Sequence, residues 1–271
     1  MGFFDFFNRL FVKRHVRLGV ALGSGGAKGA ALVGMLKAFE EAGVKFDIVA
    51  GTSIGSIVGG FLSLGYNSTD MLGLVKQYGM TDPKKLLIYK VKGASLDKML
   101  AEMLGEKSFN ETLLPFCAVA TDINSGEEVD IRSGSLSVAM AASSAIPPMF
   151  KPVGRKNRKL VDGAFVNAVP ADVVKKMGAD VVISLNLTHV ATNSVGKATL
   201  DAMYPGNGVK EGDRLHQMEE YSDYVLTPDL TAFNTSDVGA FEQMYSIGYR
   251  TAKEKMPEIL ALLKKKKVKI D

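Results

Sequence analysis

A chain of 271 residues that is 46% hydrophobic can bury a large core, and length alone leaves open one α/β domain or two smaller ones. The net charge is only +4, and lysines crowd into the tail at 264–267 and 269, so the body is near neutral, which argues against a nucleic-acid partner. Cys117 is the only cysteine; it excludes an intrachain disulfide and a cysteine-based zinc site, reads as a small buried hydrophobe in "PFCAVA", and fits a reducing compartment.

The opening "MGFFDFFNRLFVKRH" does not read as a secretory leader. Its basic residues follow the apolar ones, and no small-residue cleavage site appears. Phe6 stands where myristoylation needs Ser or Thr. No run approaches the ~18 apolar residues of a membrane span. The expected location is therefore cytoplasmic, with peripheral contact at the inner face of a membrane. Phe3, Phe6, Phe7, Leu10 and Phe11 share one helical face, with Lys13, Arg14 and Arg17 just after. That pattern suits an interfacial helix on anionic lipid, or aromatics docked on the core or a second subunit. The C-terminal lysines add to such an attraction or form a solvated helix end. The expected organisation is this segment, 1–15, followed by one domain, 16–271.

"VRLGVALG" (16–23) reads as a buried strand, followed by a glycine loop and the helix "GAALVGMLKAFEEAG", which Gly43 stops. "KFDIVAGT" (45–52) is a second strand, and Ser53 opens a second helix ending near Gly65. Strand–helix–strand–helix within about fifty residues signals a parallel sheet with crossover helices. Helices follow near 68–78 and 95–104, each preceded by a Ser or Asn cap. "PFCAVATDI" and "EEVDIR" pair across "NSGE", and "SVAMAASSA" is a short helix stopped by Pro147 and Pro148. "KLVDGAFVN" is a strand broken at Asp-Gly; a helix over 170–178 and the strand "ADVVISLNL" come next. Residues 189–213 carry few apolar anchors and read as a long loop, a candidate lid. The strand "DYVLTPDL" and a helix over 237–267 finish the chain.

"IVAGTSIGSIVGG" (48–60) raises the first chemical question. Gly51-Thr52-Ser53-Ile54-Gly55 fits a G-x-S-x-G nucleophile elbow. A serine thrust out on a sharp strand-to-helix turn takes strained backbone angles, and residues two before and two after must be small. The helix amino end also favours developing negative charge. The plainer alternative is an N-cap serine with packing glycines.

"LGSGGAKGA" (22–30) lies in the equivalent turn one crossover earlier. A Walker loop needs Gly-Lys-Ser/Thr, but Gly29 follows Lys28; the dinucleotide fingerprint needs glycine where Lys28 stands. Neighbouring parallel strands deliver their carboxyl-end loops to one rim, so this loop can point backbone N–H groups at the serine. Gly25 and Gly26 are the candidate donors. Lys28 either neutralises charge there or is a solvated helix-start lysine.

A serine nucleophile needs a proton acceptor. The histidines are His15, His189 and His216. By order, His189 or His216 could complete an α/β-hydrolase triad, but that fold places several strands before its elbow and here only one clearly precedes that of Ser53. A carboxylate can take the proton directly. Asp162 in "LVDGAFVN" stands at a strand end, Asp122 in "ATDINSGEE" at a hairpin start, and the pattern alone does not choose between them.

Taken together, "GSGGAKGAALVGML" (23–36), "AGTSIGSIVG" (50–59), "ATD" (120–122), "ASSAIPPMFKPV" (142–153), "LVDGAFVNAVP" (160–170) and the tail "TPDL…SIGYRTA" resemble the patatin-like phospholipase family in its compact bacterial form. The motifs run in the family's order across nearly the whole chain. The resemblance implies a three-layer α/β/α sandwich with a mostly parallel sheet, and a Ser53–Asp162 dyad needing no histidine, metal or cofactor. It implies an oxyanion hole in the loop of Gly23, Ser24, Gly25, Gly26, Lys28 and Gly29, with Gly51 and Gly55 flanking the elbow. Ser24 departs from the family's usual run of three glycines, which leaves the exact donors open. Gly-Ala after Asp162 is an accepted variant of the family's Asp-Gly-Gly. The implied reaction is hydrolysis of acyl esters of phospholipids or other lipids through an acyl-enzyme. Two other classes compete: a non-catalytic membrane scaffold on the same fold, and a nucleotide-binding α/β protein.

Overall fold

The computed structural model describes residues 15–82, 84, 95–188, 194–210 and 214–270; for 194–195 and 214–217 it describes the backbone alone. Residues 1–14, with Phe3, Phe6, Phe7, Leu10 and Phe11, and His189 lie outside the described residues.

The chain opens with β1 (Leu18–Leu22), α1 (Ala30–Glu41), β2 (Ile48–Thr52) and α2 (Ile54–Ser63). Helices α3 (Ser68–Gln77) and α4 (Leu96–Leu104) precede strands β3 (Phe116–Asp122) and β4 (Glu128–Ile131). Then come α5 (Leu136–Ser143), β5 (Val153–Arg155), β6 (Arg158–Asp162), α6 (Ala171–Lys176) and β7 (Val181–Leu185). The chain closes with α7 (Ser194–Met203), α8 (Arg214–Tyr221), β8 (Tyr224–Leu226) and the long α9 (Phe241–Lys265).

One sheet runs in the order β5-β6-β3-β2-β1-β7-β8, with β4 also on β3. β3, β2, β1, β7 and β8 are mutually parallel; β4 and β6 run antiparallel to β3, and β5 antiparallel to β6. The period-2 alternation of the central strands explains the layers. Leu18, Val20 and Leu22 face a core shared with α1, α2, α4, α5 and α9, whereas Ala21, Ile48 and Val119 face a second core capped by Val173 and Val174 of α6 and Met218 of α8. The expected three-layer α/β/α arrangement, with a mostly parallel sheet, is the one observed.

The register around β3 positions the site. β2 pairs with residues 116–119 of β3, ending at Thr52↔Val119, and β6 pairs with residues 120–122, starting at Asp162↔Ala120. β4 spans residues 118–121 on the opposite edge, so β2 and β6 share one edge of β3 and meet there carboxyl end to carboxyl end.

Several local expectations hold. Asn67 caps α3 in a capping box with Asp70. The glycine in "SIGYRTA" is a packing residue: a Cβ on Gly248 would fall 2.2 Å from the Ala31 carbonyl oxygen, and one on Gly34 would fall 2.1 Å from that of Tyr245. α1 and α9 therefore cross backbone to backbone. Among the described residues no helix is long and apolar enough to cross a membrane.

Other expectations need correction. The stretch 189–213, read as a loop, contains α7, whose fully buried Leu200 packs with Ile123, Val161, Phe165 and Val209 in a small third cluster. One apolar anchor was enough because it inserts beside β6, a contact that local periodicity cannot show. β5 escaped the sequence reading because it is only three residues long, Val-Gly-Arg, and it exists by pairing with β6 around the tight turn Lys156–Asn157. α8 was also unforeseen, and the last strand keeps only Tyr224–Leu226 of the expected "DYVLTPDL".

Candidate active site

β1 and β2 are parallel neighbours, so the glycine loop and Ser53 reach the same rim of the sheet. Ser53 joins β2 to α2 with φ 55° and ψ −126°, a conformation that residues bearing a Cβ rarely take. A Cβ at Gly51 would lie 2.2 Å from the Gly55 carbonyl oxygen, and one at Gly55 would lie 2.1 Å from that of Leu22. The spacing of small residues around Ser53 is thus imposed by backbone crowding beneath the turn. The Ser53 hydroxyl is aimed at Asp162 rather than at the helix amides, so the N-cap alternative fails: Ser53 makes no side-chain capping bond.

Asp162 ends β6 and is 2% exposed. Its Oδ2 accepts a 2.6 Å hydrogen bond from Ser53 Oγ, and its Oδ1 accepts the Ala164 N–H at 2.8 Å. Its own N–H donates to the Ala145 carbonyl at 3.0 Å, and its carbonyl accepts the Thr121 hydroxyl at 2.9 Å. Each end of the carboxylate therefore has a fixed donor, and the peptide on either side is pinned.

Asp122 goes elsewhere. Its Oδ1 accepts the Asn124 N–H at 3.0 Å, its carbonyl closes the turn to Gly126, and Arg158 approaches its other oxygen at 3.7 Å. It is a hairpin residue. His15 precedes β1, at the opposite end of the strand from Ser53, and its Nε2 hydrogen-bonds Asp47 Oδ1 at 2.8 Å. His189 and the side chain of His216 lie outside the described residues.

In the glycine loop the N–H groups of Gly23 and Ser24 are spent on the carbonyls of Leu185 and Ala168, both at 2.9 Å. The N–H of Lys28 turns back to Gly25 at 3.2 Å, and that of Ala27 goes to Thr235 at 2.8 Å. The N–H groups of Gly25 and Gly26 have no partner among the described residues. Gly26 has φ +57°, and a Cβ there would meet the Thr235 carbonyl oxygen at 2.4 Å, so glycine is required. Gly29 presses on Ile54, the residue after Ser53, with room for no Cβ (2.1 Å to Ile54 Cγ1). Loop and elbow are locked together.

The profile of the family described as patatin-like phospholipase matches residues 20–175, more than half the chain. The chain belongs to the patatin-like phospholipase family. Human patatin-like phospholipase domain-containing protein 6 is 28% identical over 276 residues, covering 87% of this chain and 20% of that protein. Lysophospholipase nte1 of Aspergillus terreus is 24% identical over 277 residues, covering 89% of this chain and 18% of that protein. This patatin-like chain thus spans about a fifth of the length of those relatives. Human GIVD cytosolic phospholipase A2 shares the fold, with a TM-score of 0.53 at 10% identity over 92% of this chain and 60% of the other.

Two parts of this patatin-like site were not assigned by sequence. Ser143, at the end of α5, accepts the Ser53 N–H at 2.9 Å and donates to the Val119 carbonyl. It gives the strained elbow residue its amide partner, and it withdraws that N–H from any oxyanion. Two residues on, Ala145 holds the Asp162 N–H, so the turn 143–145 braces both side chains. The second part is Asn167, fully buried, whose carbonyl accepts the Thr52 hydroxyl at 2.8 Å while its Nδ2 donates to Glu128 at 2.8 Å and Asp172 at 2.7 Å. Burial, with Asp172 and Asp130 nearby, pushes the Glu128 carboxyl up to about 7, against the pull of Asn167 and Lys176. Asp172 is paired with Lys176. Both Ser143 and Asn167 stand inside motifs visible in the sequence, but their partners are 90 and 115 residues away, and no local signal names them. Among the described residues no group of three or more His, Cys, Asp or Glu could hold a metal.

Proposed function

We propose that this protein is a serine lipid acyl hydrolase acting on carboxylic esters of phospholipids or lysophospholipids. The 2.6 Å contact between Ser53 Oγ and the buried Asp162 Oδ2 carries this reading. Asp162 takes the proton as Ser53 Oγ attacks the ester carbonyl. The negative charge that develops on the carbonyl oxygen is met by the N–H groups of Gly25 and Gly26, the uncommitted donors of the loop. Collapse of the tetrahedral adduct expels the alcohol, which leaves with the proton held on Asp162. Water then enters, gives its proton to Asp162 and attacks the acyl-Ser53 ester, which releases the fatty acid and restores the dyad. The Ala164 N–H on Oδ1 keeps the carboxylate in register through both halves. The names of the relatives, phospholipase and lysophospholipase, support the substrate class.

The test is covalent labelling with a fluorophosphonate probe alongside hydrolysis of p-nitrophenyl esters and of phospholipid vesicles. Labelling of wild type and none of Ser53→Ala, with hydrolysis kept in a His15→Ala/His189→Ala/His216→Ala variant, is expected. Hydrolysis that depends on a histidine would replace the dyad by a triad. No labelling and no turnover on any ester would leave a non-catalytic scaffold.

A further inference from the structure

Between Asp130 and Asp162 the sequence contains no acidic residue, yet it carries Arg132, Lys151, Arg155, Lys156, Arg158 and Lys159. Most of these sit on the β5–β6 hairpin, whose strand β5 pairs with β6 alone. Its two-residue turn has both Lys156 and Asn157 at positive φ (45° and 63°), so the hairpin is tight and its cations stand close together. Arg158 is shared between Asp122 and Glu127 at 3.7 Å, and Arg155 caps the Ser133 carbonyl. Lys151, Lys156 and Lys159 are exposed and have no carboxylate partner among the described residues.

This basic stretch adjoins Asp162 along the chain at both of its ends. The loop that enters the hairpin starts at Ala145, whose carbonyl holds the Asp162 N–H, and presents Met149 with 51% of its surface exposed. It ends at Val153, which pairs with Leu160, two residues from Asp162. An exposed apolar side chain is thus followed by a run of cations on the same short stretch that braces the proposed base.

We propose that the loop of Met149 and Lys151 and the hairpin of Lys156 and Lys159 form the surface by which this protein docks on anionic lipid, bringing the Ser53–Asp162 rim to the bilayer. The proposal rests on the hydrolase reading above. Phosphate head groups attract the lysines over about a Debye length, and Met149 enters the interface beside them. The tail lysines are a separate patch: Lys266 bonds Asp223 beside β8, at the other end of the strand order from β5. Cations on an edge strand also deter edge-to-edge association, so the experiment has to separate the two roles.

The experiment is flotation of full-length Ser53→Ala protein with vesicles of phosphatidylcholine alone or mixed with phosphatidylglycerol, at low and high salt. Flotation with the anionic vesicles only, weakened by salt, is expected. Lys151→Gln/Lys156→Gln/Lys159→Gln should weaken it by about 100-fold, roughly fivefold per lysine, and Met149→Asp should weaken it as well. A thermal melt of each variant separates lost docking from lost fold, and Lys156→Gln/Lys159→Gln, confined to the hairpin, serves if the triple variant unfolds. The proposal is overturned if the lysine variants float as well as their parent, if Lys264→Gln/Lys265→Gln abolishes flotation instead, if neutral vesicles bind equally, or if a DNA duplex binds more tightly than the vesicles at the same salt. Hydrolysis of a soluble p-nitrophenyl ester by wild type, measured in parallel, reports on the hydrolase reading alone. Its absence with flotation intact would sink that reading and leave the docking surface standing.

Discussion

Ser53 and Asp162 are 109 residues apart in the chain, and their side chains meet at 2.6 Å because the strands that carry them end against each other on one edge of β3. Thr52 and Asp162 pair with Val119 and Ala120, consecutive residues of β3. The parallel strand arrives from one side and the antiparallel strand from the other. Each then leaves the sheet at once, β2 into α2 and β6 into a short 3-10 turn, which frees both side chains at the rim.

If Ser53 and Asp162 act as one unit, their losses will not add. Ser53→Ala and Asp162→Asn are each expected to lower kcat/KM on a soluble ester by about 1,000-fold or more. The double variant should be no slower than the worse single one. Steady-state kinetics on the three variants checks this, and additive losses would mean that the two groups serve different steps.

Ser143→Ala removes the acceptor of the Ser53 N–H and the donor to Val119. Leaving those groups unpaired should cost about 1–3 kcal/mol of stability. Because the elbow is then held less firmly, kcat should fall about tenfold with KM little changed. Ser143→Thr, which keeps the hydroxyl, should recover most of both; chemical denaturation and kinetics on the pair decide it.

Gly55→Ala places a Cβ within 2.1 Å of the Leu22 carbonyl oxygen and 2.7 Å from that of Gly23. Neither is a flexible side-chain end, so the elbow must move away from the glycine loop. A destabilisation of about 1–3 kcal/mol is expected, together with a loss of fluorophosphonate labelling while the folded circular-dichroism signal persists at low temperature. Labelling at the wild-type rate would show that the loop–elbow spacing is not critical.

The Glu128 carboxyl, raised to about 7 in the folded protein from an ordinary value of 4.5, binds its proton more tightly in the native state than in the unfolded one. Its contribution to stability is therefore fully present below about pH 4.5 and is lost as pH rises through about 7. Between those values it should lower the stability by up to about 1.4 kcal/mol per pH unit. Glu128→Gln, which keeps a neutral side chain beside Asn167, should flatten that slope and melt higher than wild type at pH 8. Parallel melting curves from pH 5 to pH 8 would expose an error in the sign or the residue.

Much of the frame is legible in the residues. The apolar run of β1, the small residues around Ser53, the glycines before α1 and the Asn67 cap of α3 are local features that a local pattern can announce, whereas Ser95, expected as the cap of α4, makes no side-chain capping bond. The parallel sheet follows from strand–helix alternation. β5 and α7 were invisible for the opposite reason. Their stability comes from pairing with β6 and from Leu200 inserted beside it, not from propensity or period.

The candidate site divides along the same line. That Ser53 stands on a sharp turn next to a glycine loop was written in G-x-S-x-G and "GSGGAKG", and the atoms that exclude a Cβ there come from the turn itself at Gly51 and from packed neighbours, Leu22 and Thr235, at Gly55 and Gly26. Which carboxylate meets it was not written there: Asp122 and Asp162 are both strand-end aspartates, and only the antiparallel return of β6 along β3 brings one to Ser53 and leaves the other in a hairpin. The loop was more legible: Gly25 and Gly26 were the candidate donors by sequence, and only the tertiary structure shows where the N–H groups of Gly23, Ser24 and Lys28 go, to Leu185, Ala168 and Gly25. Local backbone geometry is encoded locally, whereas the pairing of groups distant in the chain depends on sheet register and on where each amide finds its partner.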